Sequence, residues 1–240
     1  MFNGKMKALT FSYDDGVLQD MRLIEILNKY NLKGTFNLNS ERFGETGELL
    51  NKKTGKMIDH TRIKADDVKH IYDGHEVAAH TLKHTNLTTL ENDDDVVYNV
   101  EQDRLNLSEL VGYEVVGLAY PGGYPNSNER VADIVKNRTG IKYARSVDIT
   151  NGFEPWKDLF QYRTTFEDGT SWDILFETGK RFLEMDAKTP QIFFIWGHSY
   201  PFDAYPNRWE EFEEFCKMMS GHTDIFYGTN KEVLLGKEFC

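Results

Sequence analysis

Cysteine and long apolar runs are scarce in this sequence, and each scarcity excludes a class of protein. The two cysteines, Cys216 and Cys240, are too few for a disulfide framework, so we expect two free thiols. No apolar run approaches the length of a transmembrane helix. Residues 1–5 lack the apolar core of a secretory signal, and we therefore expect a cytoplasmic location.

Positive charge is also in short supply. The chain has 28 Lys and Arg residues against 39 Asp and Glu residues, and its formal net charge is −11. This balance argues against nucleic acid or an anionic membrane surface as a partner. A neutral or cationic substrate fits better, and so does a site that contains a metal ion.

The first forty residues indicate a parallel α/β sheet. An apolar run at residues 8–11 predicts a buried strand, residues 18–30 have apolar side chains at helical spacing, and residues 35–39 alternate as a second strand. Strand, helix and strand in this order favour right-handed crossovers. The 240 residues show no repeat and no linker, so we expect one domain over residues 1–240.

The rest of the chain continues in about seven strand–helix units with polar residues after the strands, where barrel enzymes have their active sites. Residues 40–61 interrupt this order with a polar stretch that contains three glycines. We interpret it as a long loop or hairpin insertion that covers a site or mediates oligomerisation.

Two adjacent carboxylates, Asp14 and Asp15, end the first strand, and Gly16 follows them. Side chains alternate along a strand, so the two acids should point in different directions, one toward a metal and one toward substrate. Buried acids that are adjacent repel one another, and a positive group should therefore lie nearby. The alternative is an ordinary Asp-Asp-Gly turn on the surface.

Two histidines, His80 and His84, follow another predicted strand at a spacing of four. On a helical turn their Cβ atoms would lie about 5–6 Å apart, which suits two ligands of one metal. Together with one aspartate they would leave a coordination position open, as catalytic zinc sites do. The alternative is a pair of solvated histidines.

Four motifs in order give the chain a family resemblance. Tyr13-Asp14-Asp15-Gly16, His80-Thr81-Leu82-Lys83-His84, Ala119-Tyr120-Pro121-Gly122-Gly123 and Ile195-Trp196-Gly197-His198 resemble the motifs of NodB-type polysaccharide deacetylases, carbohydrate esterase family four. The likeness runs from about residue 6 to about residue 235. It implies the NodB homology domain, a distorted (β/α)7 TIM-like barrel, which agrees with the count of strand–helix units.

The resemblance also implies roles for individual residues. The implied ligands of a divalent metal are Asp15, His80 and His84. Asp14 would be the general base for the attacking water, His198 the general acid for the leaving group, and the Gly122 N–H an oxyanion donor. Zinc is the expected cation, and the same donors also suit cobalt, nickel or manganese. For His198 the alternative is a buried histidine paired with a backbone carbonyl.

Four further residues are expected to contact the substrate: Tyr120, Pro121, Trp196 and Tyr200. Trp196 replaces the leucine that is usual in the family, and it fits either a pocket wall or the core.

Two departures from the family pattern concern the groups that support catalysis. Ala119 occupies the place of an arginine that pairs with the base in many members, and we expect Arg163 or Arg145 to replace it. The family's Asp-containing fourth motif is reduced to Ser-Val-Asp, in which Asp148 is the expected partner of His198.

The function predicted from this resemblance is metal-dependent removal of N- or O-acetyl groups from a carbohydrate. One alternative is a hydrolase of a non-sugar amide, a C–N bond outside peptides. The other is a carbohydrate-binding relative that keeps the metal site without turnover.

Overall fold

The computed structural model describes residues 2–169 and 171–236. Its main sheet is parallel throughout, with strands in the order β8-β7-β6-β5-β2-β1-β10-β9 and β11 paired to β1. The strands are β1 (Lys7–Asp14), β2 (Gly34–Leu38), β5 (Glu76–Ala79), β6 (Gly117–Ala119), β7 (Tyr143–Ile149), β8 (Tyr162–Thr164), β9 (Phe166–Glu167), β10 (Gln191–Gly197) and β11 (Ile225–Tyr227).

The described residues contain seven α-helices, six of them between strands and one after β11. They are α1 (Asp20–Lys29), α2 (Ala65–Ile71), α3 (Asp93–Val111), α4 (Glu129–Arg138), α5 (Trp172–Glu184), α6 (Arg208–Met219) and α7 (Asn230–Leu235). Between β2 and α2 a separate antiparallel hairpin is formed by β3 (Glu48–Leu50) and β4 (Met57–Asp59). We call residues 40–62, which contain this hairpin, the arm. The hairpin lies within the stretch where the sequence predicts a loop or hairpin insertion.

The short connection between β8 and β9 closes the sheet into a barrel. Strands β8 and β9 lie at opposite ends of the hydrogen-bonded order, yet only Thr165 separates them along the chain. The Thr165 N–H donates to the Phe194 carbonyl at 2.9 Å, and its Oγ1 donates to the Ile192 carbonyl at 3.0 Å. The two ends of the sheet must therefore meet, and the predicted α/β architecture, a distorted (β/α)7 barrel, is confirmed. Strands β8 and β9 were not predicted, because a strand of two or three residues has no measurable periodicity.

Strand β1 lies at the centre of the sheet, and all eight of its residues are buried. One edge pairs with β10 along its length, while β11 and β2 share the other edge. Its outward side chains pack on helix α6: the rings of Phe11 and Tyr13 meet the Phe212 ring edge-on at 6.3 and 6.2 Å. A strand that is covered on both faces in this way is typical of parallel sheets.

The inward side chains of the barrel form a hydrogen-bonded polar interior. The buried carboxylate of Glu76 accepts from Thr35 Oγ1 at 2.9 Å, from Tyr143 Oη at 3.0 Å and from the Lys231 N–H at 2.9 Å. Nearer the other end of β1, Ser12 Oγ accepts from Asn37 Nδ2 at 2.9 Å. Buried polar groups are tolerated when they are paired in this way.

Cys216 is a buried free thiol in α6, and Cys240 lies outside the described residues. Within residues 2–169 and 171–236, the helices are too short or too polar to cross a membrane.

The close packing of Tyr143 on Gly117 predicts that alanine destabilises the fold more at Gly117 than at Gly123. A Cβ atom at Gly117 would collide with Tyr143 Oη, a buried hydroxyl that is fixed by Glu76, whereas a Cβ at Gly123 meets no atom within 4 Å. We expect Gly117→Ala to lower the free energy of unfolding by about 1–3 kcal/mol, as overpacking does, and Gly123→Ala to change it by less than about 0.5 kcal/mol. Urea denaturation of both variants measures this, and equal effects would contradict the packing argument.

Candidate active site

A cavity of about 570 Å³ opens at the carboxyl ends of the strands. It receives residues that follow β1, β5, β6 and β10, together with residues of the arm. The lining residues predicted from the sequence are Asp14, Asp15, His80, His84, Tyr120, Gly122, Trp196, His198 and Tyr200. The buried residue Pro121 is not one of the lining residues, so its predicted contact with substrate has no support in this geometry.

Three side chains in the cavity are close enough to share one cation. Single ligand atoms of Asp15, His80 and His84 all lie within 4.8 Å of one another. Asp15 Oδ1 and His80 Nε2 are buried and lack a hydrogen-bond partner among the described residues. Two imidazoles and a carboxylate are a donor set that catalytic zinc sites use. The residues present therefore fit a divalent cation.

The two histidines meet through a tight turn. Thr81 and His84 have positive φ angles of 63° and 64°, which are not helical. The turn is closed by the Thr85 N–H, which donates to Thr81 Oγ1 at 2.8 Å. The helical turn assumed for the spacing of four is therefore wrong, although the imidazole rings still meet with their centroids 4.9 Å apart.

Neighbouring groups hold His80 as a neutral ligand. Its Nδ1 donates to the Ala119 carbonyl at 2.7 Å, which leaves the lone pair of Nε2 facing the cavity. Its backbone N–H donates to the buried carboxylate of Asp103 at 2.9 Å, which fixes the end of β5. Burial lowers the pKa of His80 to about 4. At neutral pH the ring is therefore unprotonated and free to bind a cation.

Asp14 pairs with Arg145. The guanidinium of Arg145 comes from β7, is fully buried, and donates to Asp14 Oδ1. It also donates to Ser12 Oγ at 3.2 Å and lies 4.7 Å from the centre of the Trp196 ring. Asn37 Nδ2 donates to the same Asp14 oxygen at 2.8 Å.

This environment keeps Asp14 ionised. Burial by itself would raise the pKa of Asp14, but the nearby charge of Arg145, with contributions from His80 and His198, lowers it below its usual value. The structure thus places beside Asp14 the positive group that two buried acids require. Of the two candidate arginines it is Arg145. Arg163 is exposed on β8 and stacks on Trp156 at 4.5 Å.

His198 directly follows β10 and lies close to Asp15. Its Nε2 lies 3.8 Å from Asp15 Oδ2, and its ring meets the Tyr200 ring at 5.3 Å. The next residue, Ser199, donates from Oγ to Asp20 Oδ1 at 2.5 Å, which ties this loop to α1. Burial raises the pKa of Asp20 to about 7.

The predicted partner of His198 lies elsewhere. Asp148 is half-buried near the end of β7, where its carboxylate accepts from Ser146 Oγ at 3.2 Å. Among the described residues, the carboxylate within ion-pair distance of His198 belongs to Asp15. The pairing with Asp148 is therefore wrong, because that part of β7 turns toward β8 rather than toward β10.

Glycine is required at Gly122 for two reasons. Its φ is +90°, a left-handed conformation that side chains rarely adopt. A Cβ atom there would also lie 3.1 Å from Asn86 Nδ2. The loop that carries Gly122 consequently brings its backbone close to the cavity.

Two residues that contact the Asp15 carboxylate, Arg62 and His60, were not found from the sequence. Arg62 is buried, and its Nη1 lies 3.1 Å from Asp15 Oδ1; His60 Nε2 lies 3.5 Å from Asp15 Oδ2. Burial alone would raise the pKa of Asp15, but the polar contact with His60 and the charges of His198 and Arg62 bring it well below its usual value. Both residues lie in or directly after the polar insertion, a stretch without periodicity.

These features define a class of protein: an α/β barrel with a cluster of residues that fits a cation at the carboxyl ends of its strands. Residues 2–144, more than half of the chain, match the family model described as polysaccharide deacetylase. The chain belongs to this family, and the family prediction from the four motifs is confirmed.

Solved structures share the fold. A peptidoglycan N-acetylglucosamine deacetylase is 16% identical with a TM-score of 0.61, and the match covers 99% of this chain and 92% of the other. A family 4 carbohydrate esterase from Streptomyces lividans, in complex with acetate, is 13% identical with a TM-score of 0.58, covering 94% and 93%. At these identities the likeness establishes the barrel architecture.

One curated relative matches a short segment. A beta-lactamase hydrolase-like protein from Agrobacterium fabrum is 32% identical over 68 residues. The segment is 28% of this chain and spans 16% of the length of that relative.

The cluster of ligand atoms predicts tight binding of one divalent cation. His84 is the partly exposed member, so His84→Ala should fold while it removes a ligand. We expect its affinity for Zn²⁺ to fall by more than the roughly 10–100-fold that the loss of an outer hydrogen-bond partner costs. Competition with a chromophoric chelator measures the dissociation constant. His70→Ala, an exposed histidine of α2, is the control. Unchanged affinity in His84→Ala would contradict the assignment.

Proposed function

We propose that this protein is a divalent-cation-dependent hydrolase that removes N- or O-acetyl groups from a carbohydrate. The observation that carries the proposal is the grouping of five predicted side chains around one cavity: Asp14, Asp15, His80, His84 and His198. Membership of the polysaccharide deacetylase family supports the reaction class. Two of the similar structures, a peptidoglycan deacetylase and an esterase with bound acetate, support an acetylated carbohydrate as substrate.

Asp15, His80 and His84 would hold the cation, and zinc is the ion that we propose for this donor set. When bound, it would supply Lewis acidity toward the acetyl carbonyl and acidify the attacking water.

Asp14 is the general base in this proposal. It is ionised at neutral pH because Arg145 stabilises its negative charge. Two hydrogen bonds also fix the orientation of the Asp14 carboxylate, since Asn37 and Arg145 both donate to Oδ1. The other oxygen, Oδ2, is then left to accept a proton from water on the cavity side.

His198 is the general acid. Its side chain is about a quarter exposed, in contrast to the fully buried His80, and it lines the cavity beside Tyr200. An imidazole that reaches solvent can regain a proton between turnovers and donate it to the leaving nitrogen or oxygen. Gly122 presents its backbone N–H near the cavity as the donor to a developing oxyanion.

Trp196 and Tyr200 form apolar walls of this cavity. Trp196 is held in place by the guanidinium of Arg145, which stacks on its ring. The wall at Trp196 fits a small acetyl methyl group, and the tyrosine fits the face of a sugar ring. These two residues are therefore proposed contacts for the substrate.

Acetate release tests the proposed reaction. Wild-type protein with Zn²⁺ should release acetate from acetylated chito-oligosaccharides or acetylated xylan, and thorough chelation should abolish release. His198→Ala should lower kcat by about 10²–10⁴-fold, the usual contribution of general acid catalysis. An enzymatic acetate assay reads this directly.

Other outcomes of the same assay distinguish the two alternative functions, an amide hydrolase and a carbohydrate-binding relative. Release from simple amides but from no acetylated sugar would favour an amide hydrolase. Zinc binding without any release would favour a carbohydrate-binding relative. Release that survives complete removal of the cation would overturn the proposed mechanism.

The pairing of Asp14 with Arg145 predicts a shift in the pH–rate profile. Arg145 lowers the pKa of Asp14, and the base is active when ionised. Arg145→Met should therefore raise that pKa and move the acidic limb of kcat/KM toward higher pH, by roughly 1–3 pH units. Arg163→Ala, which removes an exposed arginine stacked on Trp156, should leave the limb in place. A shift in the Arg163 variant alone would contradict the assignment. Circular dichroism checks that both variants fold.

A further inference from the structure

The arm returns to the barrel directly beside Asp15. The Leu18 N–H donates to the Thr61 carbonyl at 3.0 Å, and the Ile63 N–H donates to the Gly16 carbonyl at 2.9 Å. Val17 and Arg62 form an antiparallel bridge between these two bonds. The base of the arm is therefore fixed to the three residues that follow Asp15, and its side chains there have defined positions.

Arg62 uses this attachment to hold the backbone of Asp15. Asp15 has a φ of +90°, which is unfavourable for a residue with a side chain. On one side its N–H donates to the Asn37 carbonyl at 3.0 Å; on the other its carbonyl accepts from the guanidinium of Arg62. Because both peptide groups are bound, the strained conformation is maintained.

His60 faces the side chain of the same aspartate. Its Nε2 is buried and lies 3.5 Å from Asp15 Oδ2, without a hydrogen-bond partner among the described residues. Its ring packs edge-on against the Tyr200 ring at 4.6 Å, which limits rotation of the imidazole. When Nε2 carries the proton, its N–H is directed at the Asp15 carboxylate, and the described residues offer this N–H no other acceptor.

His60 lies outside the group of ligand atoms itself. The set within mutual distances of 4.8 Å contains Asp15, His80 and His84 and does not include His60. Its contact is therefore with a ligand rather than with the position that the three ligands share. Donors of this kind orient ligating carboxylates in metal sites.

We propose that His60 is a positioning residue, presented by the arm, that holds the Asp15 carboxylate in the orientation needed to bind the cation. The inference rests on the proposed role of Asp15 as a cation ligand and is independent of the substrate. It makes the arm a structural part of the cation site in addition to a wall of the cavity.

Three substitutions separate hydrogen bonding from packing. His60→Phe keeps a ring against Tyr200 and removes the donor. His60→Gln places an amide donor close to the position of Nε2, and His60→Ala removes both features. The measurement is the dissociation constant for Zn²⁺, by chelator competition at one fixed pH, with His70→Ala as the matched control on an exposed histidine.

We expect His60→Phe and His60→Ala to bind Zn²⁺ about 10–100-fold more weakly than wild type, the usual cost of losing an outer hydrogen-bond partner. His60→Gln should stay within about threefold of wild type, because it restores the donor. Wild-type affinity in His60→Phe would overturn the proposal. So would a loss in His60→Gln as large as that in His60→Phe, since the nitrogen would then act other than as a donor. Far-UV circular dichroism verifies that each variant is folded.

The outcome is separable from that of the proposed reaction. A wild-type protein that binds Zn²⁺ but releases no acetate would refute the reaction while the affinities of the His60 variants still decide the role of His60.

Discussion

Two neighbouring carboxylates at the end of a fully buried strand are the constraint on which the site depends. Asp14 and Asp15 are both at least nine-tenths buried, and charges without compensation in such a position would be strongly destabilising. Asp14 is the last residue of β1, whereas Asp15 leaves the strand with a φ of +90°. Each acid meets its own arginine, Arg145 for Asp14 and Arg62 for Asp15. The two acids therefore have different partners although both line one cavity.

The two arginines come from different parts of the fold. Arg145 reaches Asp14 through the barrel interior, which is why the inward positions around it are polar and hydrogen-bonded. Arg62 arrives from outside the barrel, on an arm that is bound to the residues after β1. Ionised acids can persist here because the barrel and its insertion supply the compensating charge together.

Buried acids away from the cavity serve the loops that carry the site. Asp103 accepts from the backbone N–H groups of Ser40 and His80, and Asp20 accepts from Ser199, the neighbour of His198. Each joins a helix to the end of a strand. The positions of His80 and His198 are therefore set by contacts that extend well beyond the cavity.

The sequence was most informative where its pattern is local or repeated. The apolar run of β1, the helical spacing in α1 and the four motifs predicted a parallel barrel and five of the polar residues that line its cavity. The polar stretch with three glycines indicated a loop or a hairpin without deciding between them. Short strands such as β8 and β9 were not predicted, because their pairing comes from the closure of the barrel.

The amino-acid sequence by itself determined the family, the order of strands and helices, and the need for positive charge beside Asp14 and Asp15. Only the tertiary structure decided which groups supply that charge. Arg145 and Arg163 lie on the neighbouring strands β7 and β8, and the two strands direct them to different places. His60 and Arg62 carry no sequence signal, because their positions depend on where a non-periodic arm returns to the barrel, a contact between segments more than forty residues apart in sequence.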